Sequence, residues 1–205
     1  MVYVFLAKGF EELEALAPVD VLRRANIEVK TVGVTGKRVS GSHGISVNCD
    51  ITINEAVFDE LEGIVLPGGL PGTTNLENDE IVNKFIDYAW DNGKIIGAIC
   101  AAPIILGHKG LLRGKNAVCY TGFEKELTGA HVLDRPAVRD GNIVTGWGAG
   151  GAMDFALAFL EAISENEELA KKIRLEIEEY IDPSKIVWEK PIVTNSWCAK
   201  FNFVD

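Results

Sequence analysis

The chain of 205 residues contains no Cys-x-x-Cys pair and no His-x-x-x-His, and it has only four cysteines and three histidines. Cys49, Cys100, Cys119 and Cys198 are scattered, as are His43, His108 and His131, so neither a structural zinc site nor a disulfide framework is expected. Positive charge is also scarce. Twenty Lys and Arg stand against 30 Asp and Glu, a formal charge of −10, which argues against a nucleic-acid or anionic-membrane partner. No apolar run approaches the roughly 20 residues of a membrane span. Met1 to Leu6 read as a short strand without a basic leader, so a cytoplasmic protein with reduced thiols is expected. What is present, 47% hydrophobic and 24% charged residues, is the composition of a soluble globular protein, and the length suits one core better than two.

Strand and helix signals alternate along the chain. Residues 2–7 read as a buried strand. Residues 11–25 carry apolar positions at helical spacing, with Pro18 expected to bend or restart the helix. Residues 27–34 form a second strand, and the Gly- and Ser-punctuated stretch 36–53 an inserted hairpin. A third buried strand, 63–66, runs into the tight turn Pro67-Gly68-Gly69. An amphipathic helix over 80–90 stops near Asn92-Gly93. Residues 94–100 form a strand followed by a helix, 116–120 a short strand, 137–145 a hairpin turning at Asp140-Gly141, and 153–163 a buried helix. Alternation of this kind predicts an α/β domain with a mostly parallel sheet covered on both faces. A single domain over residues 1–181 is expected, the last part of it a charged helix over 164–180. An aromatic extension, 182–205 with Trp188, Trp197, Phe201 and Phe203, is expected to pack on the domain or on a partner subunit.

Cys100 is the strongest chemical candidate. Four apolar β-formers lead to it, a helix-capable segment leaves it, and Ala98 and Ala102 keep the positions two before and two after it small. That is the pattern of a nucleophile elbow, a sharp strand-to-helix turn, with cysteine in place of serine. Amides and partial positive charge at the helix N-terminus favour a thiolate there, although most cysteines ending a core strand are simply packed. In open α/β sheets sites lie beyond the carboxyl ends of the strands, where Pro67-Gly68-Gly69 also falls. Glu11 and Glu12, opening the first helix, read as complements to its dipole. Glu14 also follows a strand end, from which a carboxyl group reaches Cys100 across the sheet edge.

Five blocks carry a family resemblance: residues 6–29 (LAKGFEELEALAPVDVLRRANIEV), 64–69 (IVLPGG), 97–103 (GAICAAP), 129–131 (GAH) and 139–163 (RDGNIVTGWGAGGAMDFALAFLEAI). Together they resemble the ThiJ/PfpI superfamily, in the branch of the Parkinson-disease-associated protein deglycase and glyoxalase III-like proteins, over roughly residues 2–163. The resemblance implies a flavodoxin-like three-layer α/β sandwich and a homodimer. It makes Cys100 the elbow cysteine, Glu14 its partner carboxyl group and His131 a histidine near the cysteine. Gly69 and Ala101 become oxyanion-hole donors beside Gly68, and Arg24 an anion-site residue near the dimer interface, though plain surface solvation also accounts for Arg24. The implied activity is cofactor-free conversion of 2-oxoaldehydes, methylglyoxal or glyoxal, or of their protein adducts, to hydroxy acids, with Glu14 or His131 moving the proton.

Other readings stay open beside it. A redox-sensing or chaperone-like protein with an oxidisable Cys100 uses the same thiol, as does a related small-molecule hydrolase or hydratase. Peptidase chemistry is disfavoured because Ala101 stands where the protease-like branch has histidine. Glutamine amidotransferase chemistry lacks its His-x-Glu pair. Gly146 to Gly151 formally satisfy G-x-G-x-x-G, but a charged helix follows where a dinucleotide fold needs a strand with an acidic end. His43 sits in a hairpin loop near where the family carries an arginine, and no role is assigned to it.

Overall fold

The computed structural model describes residues 1–178. The expected aromatic extension, Cys198 and the last residues of the expected charged helix lie outside them. In chain order the elements are β1 (Val2–Leu6), α1 (Glu12–Arg24), β2 (Val29–Gly33), β3 (Arg38–Ser40), β4 (Ser46–Asn48), β5 (Ile51–Thr52), β6 (Gly63–Leu66), α2 (Gly72–Glu77), α3 (Glu80–Asp91), β7 (Ile95–Ile99), α4 (Pro103–His108), β8 (Asn116–Ala117), β9 (His131–Val132), β10 (Ala137–Asp140), β11 (Ile143–Gly146), α5 (Ala152–Ser164) and α6 (Glu167–Glu178).

Seven strands form the central sheet in the order β10-β11-β7-β6-β1-β2-β5. All neighbours are parallel except β10 and β11, whose hairpin register pairs Asp140 with Ile143. β3 and β4 make the expected inserted hairpin. The alternation of β1 sorts the core. Val2, Val4 and Leu6 face one apolar layer with residues of α1, α5 and α6, whereas Tyr3 and Phe5 face a second with α3 and α4. A sheet buried on both faces needs helices on both, which is the three-layer sandwich the sequence predicts.

Pro18 does not restart the helix, one of the two outcomes expected of it. α1 runs unbroken from Glu12 to Arg24 with the proline inside it. Proline cannot donate to the carbonyl of Glu14, but Pro18, Ala15, Val19 and Leu22 are buried on the face toward the core, and that packing carries the helix through. Its N-terminus is capped by Glu11, whose carboxylate accepts from the Glu14 amide at 2.8 Å.

The sheet brings four strand ends to one edge. β1, β6, β7 and β11 finish at Leu6, Leu66, Ile99 and Gly146, so the segments leaving them, which hold the start of α1, Pro67 to Gly69, Cys100 and Trp147 to Ala149, converge there. The position of β7 depends on Gly97. A Cβ there would stand 2.8 Å from Phe159 Cδ2 and 3.0 Å from Phe155 Cζ, both on α5. We expect Gly97→Ala to overpack this contact and cost about 1–3 kcal/mol, read as a lower urea midpoint. An unchanged midpoint contradicts the close approach.

Candidate active site

Cys100 follows the last residue of β7 and takes φ +65°, in the left-handed region that non-glycine residues occupy only under constraint. Two main-chain bonds hold it. Its N–H donates to the Gly146 carbonyl at 2.9 Å and its carbonyl accepts from Tyr120 at 2.8 Å. Ala98 and Ala102 are fully buried against the turn, which accounts for their small size. Around the half-buried sulfur, the amides of Gly69 and Ala101 donate hydrogen bonds to it. Gly69 has φ +86°, and a Cβ there would come within 2.5 Å of the Glu11 nitrogen.

Glu14 projects from the first turn of α1 into the same corner and is completely buried. Its Oε2 accepts from the Gly68 amide at 2.9 Å, and the Ala149 amide also donates to the carboxyl group. Oε1 has no hydrogen-bond partner, and the Cys100 thiol is the side chain whose ionisation is coupled to this carboxyl group. Gly68 makes the contact possible. A Cβ there would lie 2.6 Å from Cys100 Cβ and 2.7 Å from Glu14 Oε2.

Electrostatics ties the two groups together. Burial first, and the nearby Glu11 charge second, push the Glu14 carboxyl up to about 7, against the hydrogen bonds from Cys100 and the amides. Burial and the Glu14 charge push the Cys100 thiol up to about 12, against the amides of Gly69 and Ala101. Two buried acids in contact do not both ionise at neutral pH, so they titrate as a pair and hold one proton between them. The expected thiolate-favouring amides are in place, but burial opposes them, and a thiolate forms here only with the proton kept on Glu14.

Other sequence candidates fall differently. Gly68 spends its amide on Glu14 and so is not a free oxyanion donor. His131 is exposed on β9, its amide bonded to the Lys115 carbonyl, and the structure pairs its ring with neither Cys100 nor Glu14. Arg24 lies ten residues beyond Glu14, about 15 Å along the helix. It is exposed and bonded to Asp20 at 2.7 Å. Among the described residues, Glu11, Glu12 and His43 bring potential ligand atoms within 4.8 Å of one another. Glu12, however, is already committed to the His43 amide and ring at 2.8 and 2.9 Å, so it is no spare ligand. Its burial was not foreseen, and neither was the loop clasp it makes with His43.

The turn at 146–151 also gains a role. The Ala149 amide serves Glu14, and a Cβ on Gly148 would stand 3.9 Å from the Cys100 sulfur. α5 and then α6 follow it, without the strand that a dinucleotide fold requires. Its signal in the sequence was the place of a Gly-rich turn at the end of a core strand.

The raised Glu14 pKa has a consequence for stability. An acid whose pKa rises from 4.5 to about 7 on folding favours the folded state fully below pH 4.5 and loses that contribution as pH rises through 7. Glu14→Gln escapes the loss. Its stability relative to the native chain should rise by about 3 kcal/mol between pH 4.5 and pH 8, measured by urea unfolding at both. A difference that falls or stays level with pH contradicts the burial of an ionisable Glu14.

Comparison with known proteins agrees with this geometry. The DJ-1/PfpI family model matches residues 1–162. Protein dj-1beta of Drosophila melanogaster is 34% identical over 169 residues, 81% of this chain and 90% of that protein. Deglycase PfpI of Pyrococcus furiosus is 34% identical over 144 residues, 68% of this chain and 84% of that protein. The solved structure of oxidized Toxoplasma gondii DJ-1 superposes with a TM-score of 0.81 at 33% identity, covering 86% of this chain and 96% of that one. With the family model spanning the sheet, the elbow and the Glu14 helix alike, the chain belongs to the DJ-1/PfpI family.

Proposed function

We propose that the protein is a cofactor-independent enzyme that converts small 2-oxoaldehydes, or their adducts on proteins, to hydroxy acids. The observation that carries this reading is the fully buried Glu14 carboxyl group, packed with an elbow cysteine against Gly68 and electrostatically coupled to it. A relative named a deglycase supports it. With the proton on Glu14, the Cys100 thiolate adds to the aldehyde carbon of methylglyoxal. The new S–C bond places the former carbonyl oxygen near the amides of Gly69 and Ala101, and Glu14 gives it its proton. Glu14, now a carboxylate, takes the proton from the carbon bonded to sulfur and returns it to the neighbouring carbon. With the hydroxyl proton passing from the first oxygen to the second, the hemithioacetal becomes a thioester of lactate. Water cleaves the thioester, releasing lactate and restoring the shared proton. His131, which the structure does not bring to the pair, has no step in this scheme.

We infer that a second copy of the chain docks beside this site. Leu13 and Leu16 of α1 are 63% and 39% exposed and line an apolar cleft with Ala17, Ala149 and Met153. Since the Ala149 amide holds Glu14, a homodimer formed on this face would brace the catalytic pair. Among the described residues no helix is long and apolar enough to cross a membrane, and the three described cysteines are free thiols. Both fit action in a reducing compartment such as the cytoplasm. The oxidized form of the Toxoplasma gondii relative favours a second reading, in which Cys100 is a redox sensor and does not turn over substrate.

Lactate production from methylglyoxal separates the two. We expect turnover that Cys100→Ala abolishes and Glu14→Gln lowers by about 10²-fold or more. Native turnover no faster than that of Cys100→Ala, with selective oxidation of Cys100 by peroxide, leaves the sensor reading. The pH profile has a definite sign. The reactive pair holds one proton, so kcat/KM should rise as pH passes about 7 and then level off. A profile that falls through this range contradicts the scheme.

A further inference from the structure

A cleft of about 340 Å³, within the range of small-molecule sites, opens beside the sulfur and is lined by Tyr120, Thr121, Trp147, Gly148, Ala149 and Gly150. It is far larger than the methyl group of methylglyoxal requires. Its position relative to the nucleophile is fixed at Gly148, where an added Cβ would stand 3.2 Å from Tyr120 Cδ2 and 3.9 Å from the Cys100 sulfur. The lining has no charged side chain. Two aromatic rings form its walls, Tyr120 being 52% and Trp147 43% exposed, and both rest on neighbours. A Cβ at Gly151 would come within 2.5 Å of Trp147 Nε1 and 2.7 Å of its Cδ1, so this edge of the indole rests on that turn. The Tyr120 ring packs at 57° to Phe123 with centroids 6.5 Å apart. Exposed rings steadied in this way form a stacking platform whose natural occupant is another flat apolar group.

We propose that this cleft selects electrophiles bearing an aryl or comparably large apolar substituent next to the reactive carbonyl group, with Trp147 and Tyr120 as the residues that determine specificity. The inference deepens the reading above and rests on Cys100 being the attacking group. With the sulfur at one end, the substituent on the far side of the carbonyl group runs between the two rings. No cation lines the cleft to hold a carboxylate or phosphate there.

Stoichiometric alkylation tests the cleft without requiring turnover. Phenacyl bromide and bromoacetone both form an S–C bond with the thiolate and release bromide, and they differ in carrying a phenyl or a methyl group. Labelling of Cys100 by each is followed by mass spectrometry and divided by the rate with N-acetylcysteine. The normalised rates should favour phenacyl bromide about five- to tenfold. Trp147→Ala should erase most of the preference and Trp147→Phe should keep most of it. Tyr120→Leu offers an independent wall if the tryptophan variants fail to fold. Equal normalised rates in the native protein, or a preference untouched by both wall substitutions, overturn the proposal. Selective labelling without lactate production defeats the aldehyde-enzyme reading and leaves the cleft standing; lactate production with unselective labelling does the reverse.

Discussion

The contact between a buried carboxyl group and a thiol that together hold a single proton is the constraint around which this sheet edge is arranged. A thiolate and a carboxylate side by side in a poorly solvated corner repel each other and lack water to screen them. Two neutral acids there would give a sulfur of little nucleophilic power. The intermediate state is the useful one, and the surrounding amides are divided to support it. Gly68 and Ala149 serve the carboxyl group, and Gly69 and Ala101 serve the sulfur. Each of these donors stands in the segment following one of three adjacent parallel strands, so the sheet itself sets their spacing.

Holding that arrangement has local costs that the rest of the fold offsets. Cys100 is kept in a left-handed conformation, worth of order 1–3 kcal/mol of strain, between a bond to Gly146 and a bond from Tyr120. Gly68 is bare because any side chain would separate the pair. Gly97, three residues before the cysteine, lets the aromatic rings of α5 lie against β7. Glu11 has two effects on Glu14. It caps the helix that carries it through the Glu14 amide, and its charge helps raise the Glu14 pKa.

Much of this could be read from the chain because it rests on local rules. The elbow is announced by apolar β-formers, a cysteine and flanking alanines, and the parallel sheet by alternating periodicities. Both follow from short-range sterics and patterning. What could not be read depends on contacts distant in sequence. Glu12 looked like a dipole-complementing surface acid, but the β3–β4 loop folds back to hydrogen-bond it. Pro18 looked like a bend or a restart of the helix, and packing against the core carries α1 through it without a restart. The Gly146 to Gly151 turn looked like a weak nucleotide motif, whereas its amide and its open glycine face serve Glu14 and the sulfur. His131 and Arg24 came from resemblance alone, and neither is brought to the pair.

The central claim is that Glu14 and Cys100 do not ionise together, so that above about pH 7 the pair holds a single proton. Ultraviolet thiolate absorbance measures it directly, taken as the difference between the native chain and Cys100→Ala across a pH titration, so that the other thiols cancel. The account predicts that the Cys100 thiolate signal appears well above the ordinary thiol value of 9.0 in the native chain and moves to lower pH in Glu14→Gln, which removes the charge that helps to raise it. A signal already complete below 9.0, or one that Glu14→Gln leaves unchanged, would contradict it.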